Sequence, residues 1–290
     1  MFASAAMFGA MAFAAKLATS RLSGPEVAMI RMAAGLLPFA FLAGARRAAM
    51  HVERVDLLLY RGIFGALAVM LYFIAIQHTS VGVATLLNYT SPIWSGLLSI
   101  YFIGERFSSK VLLPLPVALA GIVLVVHAHA RPGDVLGFGR WELTGVLSAM
   151  CSGAAVTAIR AARRSESSWS VYGSFCLFGV IVNLPLALRD WRTPRGDEWL
   201  TLAAVSVLAM GAQLLMTFSL RWLDAMTVGV MSQLAVVISM LFGAFFLSEH
   251  INALAALGSI LTIGGVVGVT YVTSMRGERE AVAIAASSAG

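Results

Sequence analysis

Ten apolar runs of helical length take up most of this chain: residues 2–19, 25–44, 57–77, 81–103, 111–127, 141–159, 169–188, 199–220, 225–248 and 253–273. A helix needs about 20 predominantly apolar residues to cross the hydrocarbon core of a bilayer, where every backbone N–H and C=O must be paired within the segment. Strands of a membrane barrel would be half as long and would alternate polar with apolar residues, which these runs do not. Only 12% of the 290 residues are charged, about half the share of a soluble domain, and the intervals between runs are too short to hold one. The expected fold is an all-α integral membrane protein of ten transmembrane helices. Connections as short as 77–81 and 248–252 make sequence neighbours antiparallel. The first run has no basic leader before it and is expected to stay as a helix rather than be cleaved as a signal peptide.

The net charge of +6 comes from 20 Lys plus Arg against 14 Asp plus Glu. These cations stand singly or in pairs between the runs, as in loops beside an anionic leaflet, and not as a nucleic-acid surface. With the N-terminus inside, the inner loops hold Arg46, Arg47, Arg54, Arg106, Lys110, Arg160, Arg163, Arg164, Arg221, Arg276 and Arg279, while the outer loops hold only Arg21, Arg131, Arg140, Arg189, Arg192 and Arg195. That excess is expected to place both termini in the cytoplasm, and the expected location is the inner (plasma) membrane. Cys151 and Cys176 lie inside apolar runs and read as packing residues. There is no Walker loop, no His-Glu-x-x-His and no cysteine pair at zinc spacing, and Gly137-Phe138-Gly139 lacks the third glycine of a dinucleotide site. No catalytic residue, cofactor or metal is expected. The expected partners are a small-molecule substrate and the lipid bilayer, with monomer or homodimer left open.

Laid on itself with one constant shift of 144, the chain matches Glu105 with Glu249, Gly121 with Gly265, Gly9 with Gly153, Ser95 with Ser239, Phe102 with Phe246, and Lys16 with the like-charged Arg160. Five helices per half is an odd number, so the second half enters the membrane inverted, an arrangement that in transporters surrounds a site near the midplane. The expected units are a first repeat over 1–130, a second, inverted repeat over 131–275, and a disordered cytoplasmic tail over 276–290.

Ser91-Pro92 in the fourth run, Gly104-Glu105 at its end and Gly121 sixteen residues later resemble the repeat of the EamA family in the drug/metabolite transporter superfamily. Glu249, Gly258 and Gly265 resemble it again, and Arg31 in Val-Ala-Met-Ile-Arg-Met matches an arginine that such proteins often carry in their second helix. Val236 stands where the second repeat might have matched Pro92, and Ser248 replaces the glycine of Gly104. Within the family the chain is most similar to bacterial exporters of aromatic amino acids. The resemblance implies two inverted five-helix repeats around a central cavity, and export of amino acids or related metabolites from the cytoplasm.

All fourteen carboxylates fall at helix ends or in loops, so the interior lacks the Asp/Glu relay of a proton-driven carrier. Facilitated transport is the simplest expectation. Glu105 and Glu249 end the fourth and ninth runs on opposite faces and read either as gates or as helix caps. Lys16 and Arg160, several residues inside their runs, either snorkel to an interface or meet a substrate carboxylate in a water-filled cavity. Arg31 reads as structural.

The cluster Asn88-Tyr89-Thr90-Ser91-Pro92, with Trp94, carries the most information. Proline frees a carbonyl one turn earlier and permits a bend, which lipid tolerates only where protein or water covers it. Ser232 and Gln233 occupy the shifted positions of Asn88 and Tyr89, and polar groups at matching depth in both halves mark a midplane site. Hydrogen bonding between helices is the competing reading. Tyr72 and Gln213 complete the expected substrate site. The function expected is outward carriage of neutral, aromatic or other apolar amino acids and related metabolites by alternating access. Efflux of hydrophobic drugs or organic cations is the alternative, and an integral membrane enzyme or scaffold the reading outside transport.

Overall fold

A computed structural model describes residues 1–50, 52–103, 113–128, 139–162, 166–219, 225–249 and 252–288. The described chain is a succession of helices: α1 (Phe2–Ala18), α2 (Gly24–Gly35), α3 (Leu37–Phe41), α4 (Ala43–Met50), α5 (Val55–His78), α6 (Val81–Asn88), α7 (Ser91–Ile103), α8 (Pro114–Ala128), α9 (Arg140–Ala162), α10 (Ser168–Arg189), α11 (Gly196–Ser219), α12 (Ala225–Ser232), α13 (Leu234–Phe246) and α14 (Ala253–Ser288). By length and composition five segments are able to cross a bilayer unaided: Val55–His78, Arg140–Ile159, Ser168–Arg189, Gly196–Ser219 and Ala253–Val272. Shorter apolar helices, Phe2–Ala18, Pro114–Ala128 and Val230–Phe246, accompany them. Leu200, Phe245, Phe246 and Ile260 stand exposed on the outside of the bundle, a surface that suits acyl chains and not water.

Among the described residues, three of the ten runs are interrupted. The second breaks at Leu36 and again at Leu42, whose backbone is extended. Pro38, in the first turn of α3, sits where a missing N–H costs least. The fourth run parts into α6 and α7 at Tyr89-Thr90, and Pro92 again occupies a first turn. The ninth, expected as one helix, parts at Gln233 with no proline nearby. Gln233 stands 144 residues after Tyr89, and its Nε2 donates to the Tyr89 carbonyl at 3.2 Å. The carbonyl freed by one break is therefore paired by a side chain at the other.

Small residues let the helices approach closely. A Cβ added at Gly121 on α8 would lie 2.4 Å from Thr262 N on α14, and one at Gly265 would lie 2.4 Å from Ala118 N. A Cβ at Gly9 would meet Ile238 at 2.7 Å, and one at Gly153 would meet Ser95 N at 2.7 Å. Ser248, in the place of a repeat glycine, adopts φ 53°, a left-handed conformation that glycine takes without strain.

Beyond Arg276, where a disordered tail was expected, α14 continues as helix to Ser288. The Arg, Glu and Ala residues of that segment are strong helix formers. Glu105 lies outside the described residues, as does the side chain of Arg160.

Gly121→Ala drives a methyl against backbone that cannot rotate away, and overpacking of this kind costs roughly 1–3 kcal/mol. We expect it to lower the thermal unfolding midpoint of detergent-solubilised protein, whereas Ser248→Gly should leave that midpoint unchanged or raise it. A Gly121→Ala protein as stable as the parent would contradict the close α8–α14 approach.

Candidate functional site

The helices enclose a cavity of about 230 Å³. Phe8 and Met11 of α1, Arg31 of α2, and Arg61, Gly65, Ala68, Val69 and Tyr72 of α5 form one part of its wall. Asn88, Tyr89, Ser91, Pro92 and Ser95 line it at the α6–α7 break, and Ser152, Ala155, Val156, Ile159 and Phe175 line it from α9 and α10. Gln213, Met216, Val228, Ser232 and Thr270 complete it. Of the residues expected in a substrate site, Tyr72, Asn88, Tyr89, Gln213 and Ser232 come together here, with Pro92 beside them.

Neighbouring groups fix how these polar side chains can act. Thr85 Oγ1 donates to the Val81 carbonyl at 2.7 Å, so the Tyr72 hydroxyl, 2.8 Å from Thr85 Oγ1, is the donor in that pair. Its oxygen is left to accept. Ser148 Oγ donates to the Ala68 carbonyl at 2.8 Å and lies 2.8 Å from Asn88 Oδ1, which holds the Asn88 amide against α9. The break thus presents side-chain donors and acceptors whose geometry α5 and α9 set.

Three expected site residues lie elsewhere. Gln233 is buried and turned to the Tyr89 carbonyl, so it braces the wall without lining it. Trp94 packs its Cβ toward Gly153, and its buried Nε1 has no hydrogen-bond partner. Lys16 donates from Nζ to the carbonyls of Ile76 at 2.8 Å, Gln77 at 3.4 Å and Thr79 at 2.5 Å, capping the C-terminal end of α5 as a cation there does.

Lys16 belongs to a polar plate across one end of the bundle, where α1 and α5 finish and α2 and α6 begin. There Gly24 N donates to Gln77 Oε1 at 2.8 Å, and Val81 N donates to Glu249 Oε1 at 2.9 Å. Glu249 thus caps α6, far from it in sequence, and not the helix that follows it. The turn at Ser248 folds its carboxylate back over Gly243. Nearby the Arg21 guanidinium grips both oxygens of Glu198, which holds its pKa above the ordinary value. His78, at the end of α5, stacks on Trp141 with ring centroids 3.6 Å apart.

The sequence reading passed over Arg61 and took Arg31 as structural, yet both line the cavity. Arg31 starts from a well-fixed helix: α2 opens with a capping box in which Glu26 N donates to Ser23 Oγ at 3.3 Å and Ser23 N donates to Glu26 Oε2 at 3.4 Å. Its guanidinium lies 5.6 Å from the Phe73 ring centroid, and that of Arg61 lies 4.1 Å from the Phe175 centroid. The available signal was the absence of any carboxylate one turn away: Val27, Ala28, Ala34 and Gly35 flank Arg31, and Leu57, Leu58, Phe64 and Gly65 flank Arg61. No group of His, Cys, Asp or Glu able to hold a metal occurs among the described residues.

The sequence profile of the EamA-like transporter family matches residues 1–127 and 139–271. The pseudopaline exporter CntI of Pseudomonas aeruginosa is 29% identical over 257 residues, covering 88% of this chain and 89% of the relative. An uncharacterized transporter of Archaeoglobus fulgidus is 27% identical over 230 residues, 79% of this chain and 82% of the relative. Solute carrier family 35 member G1 of Mus musculus is 24% identical over 239 residues, 77% of this chain and 63% of the relative. A solved crystal structure shares the fold, with a TM-score of 0.58 and 21% identity over 94% of this chain and 98% of the other. None of these relatives is named for aromatic amino acids. With the family profile matched over both halves of the chain, and apolar helices around a central cavity, this multi-pass membrane protein belongs to the EamA-like transporter family and is not an enzyme.

Proposed function

We propose that this protein is a secondary transporter of the inner membrane that exports amino acids and related carboxylate-bearing metabolites by alternating access. Its ten spans form two inverted repeats, 1–130 and 131–275, with both termini in the cytoplasm. The observation that carries this reading is the cavity itself, which sits at the break in the fourth run, touches its counterpart in the ninth, and takes wall residues from both halves. The packing supports it too. α5 against α9 corresponds to α11 against α1, and α1 against α13 to α9 against α7, while α2 with α10 and α8 with α14 pair across the two halves. Individual contacts follow the same rule: the pair Gly121 and Thr262 becomes Gly265 and Ala118 when each residue moves by 144. Among the described residues, no Asp or Glu lines the cavity and two arginines do, which favours a carboxylate cargo over the organic cations of a drug-efflux pump.

Sidedness is testable with single cysteines at two exposed positions, Val52→Cys and Asn252→Cys. A membrane-impermeant maleimide applied to intact cells should label Asn252→Cys and spare Val52→Cys. Labelling of both from the same side would refute the inverted arrangement.

Flux is testable in proteoliposomes with a panel of labelled amino acids and an imposed pH difference. We expect equilibration of at least one carboxylate-bearing substrate without a proton gradient. Tyr89→Ala should abolish most flux at matched protein levels, with Gln233→Ala milder, because a single neutral hydrogen bond contributes only about 0.5–1.5 kcal/mol net. Accumulation that collapses with a protonophore would overturn the uncoupled mechanism, and flux within about twofold of the parent in both variants would move the site elsewhere.

A further inference from the structure

Two cations share this cavity, and nothing among the described residues balances them. Arg31 is 7% exposed and Arg61 4%. Neither guanidinium makes a hydrogen bond or ion pair with a described residue, and Arg61 Nε is fully buried without a partner. The ion pairs among the described residues, Arg21 with Glu198 and Arg54 with Asp56, lie at helix ends. The rings of Phe73 and Phe175 attract the guanidiniums but cannot neutralise them. An uncompensated buried charge is strongly unfavourable, so a site that keeps two is one that a visiting anion completes.

We propose that the cargo is a dianion carrying two carboxylates several bonds apart, one held by Arg31 and the other by Arg61. This deepens the carrier reading above and rests on it. The two groups are near enough to share one small molecule. Gly35 packs on Cys176 and Tyr172, Arg31 stands one turn before Gly35 on α2, and Arg61 lies over Phe175, next to Cys176 on α10. Both arginines also line the same cavity of about 230 Å³, so a single small molecule can reach both. Each fork can take a carboxylate through two parallel N–H···O bonds. The spacer between the carboxylates lies against Phe8, Tyr72 and Tyr89, within reach of the Asn88 and Gln213 amides. A neutral amino acid fits less well, because it offers one carboxylate to two arginines and its ammonium meets no carboxylate in the described wall.

The test compares three six-carbon probes at constant ionic strength on purified, detergent-solubilised protein: adipate, hexanoate and 1,6-diaminohexane. Binding is read by calorimetry and by the shift in unfolding midpoint. Adipate should bind about tenfold or more tighter than hexanoate, and the diamine should not bind. Arg31→Gln and Arg61→Gln should each bring adipate down to the hexanoate level, while Arg61→Lys, which keeps the charge, should retain part of the preference. The unliganded midpoints report whether each variant folds. If a glutamine variant does not, the parent's ratio decides alone, and adipate and hexanoate within about twofold of each other overturn the proposal. Amino-acid flux in liposomes together with such equal binding removes the dianion and leaves the carrier. Strong adipate preference with no flux of any probe keeps the paired-arginine site and removes the carrier.

Discussion

Backbone groups inside a bilayer have no water to turn to, and the architecture of this protein follows from that shortage. An unbroken helix meets the demand by itself. An interrupted one does not, so each interruption has to be covered by something specific. Tyr89 and Gln233, the two break points, cover one another through the Gln233 amide and the Tyr89 carbonyl. At the end of the bundle Lys16 takes the last carbonyls of α5, and Glu249 takes the first N–H of α6. Lys16, a cation that looks anomalous in an apolar run, serves here as a partner for a helix end.

The same shortage explains which features could be read from the sequence. Number and length of apolar runs are properties of local composition, so the helices were visible, and Pro92 announced the break in the fourth run because proline is a local signal. The break at Gln233 had no such signal, since what sustains it is a residue 144 positions away. Lys16 could be recognised as an odd cation, but its partners lie 60 to 63 residues along the chain. Trp94 shared the polar neighbourhood of the fourth run, and only packing against Gly153 decided which way it faced. Arg61 was missed for the opposite reason. A long stem inside an apolar run is compatible with snorkelling, and only the stacking on Phe175 fixes the guanidinium inside.

The two proposed repeats share a framework of helices but not the chemistry of the cavity. Positions 144 residues beyond Arg31 and Arg61 are Phe175 and Val205. Both cations come from the first half, and the second half answers with apolar groups, one of them the ring beneath Arg61. In the proposed cycle a guest held by the arginines stays with α2 and α5 while the second half supplies the surface that moves past it.

Two positive charges with no counter-charge among the described residues also decide which step of the proposed cycle feels the electric field. Loaded with the proposed dianion, the cavity is electrically neutral, and its passage between faces moves no net charge. The empty cavity carries both guanidinium charges, so the return step carries them inward, in the direction that an inside-negative potential favours. At roughly 2.3 kcal/mol per charge per 100 mV, two charges make the resting potential a source of about 4.6 kcal/mol for each cycle at that voltage. The proposed carrier, loaded in this way, draws its outward drive from voltage alone, and a described cavity wall with two arginines and no Asp or Glu fits that scheme.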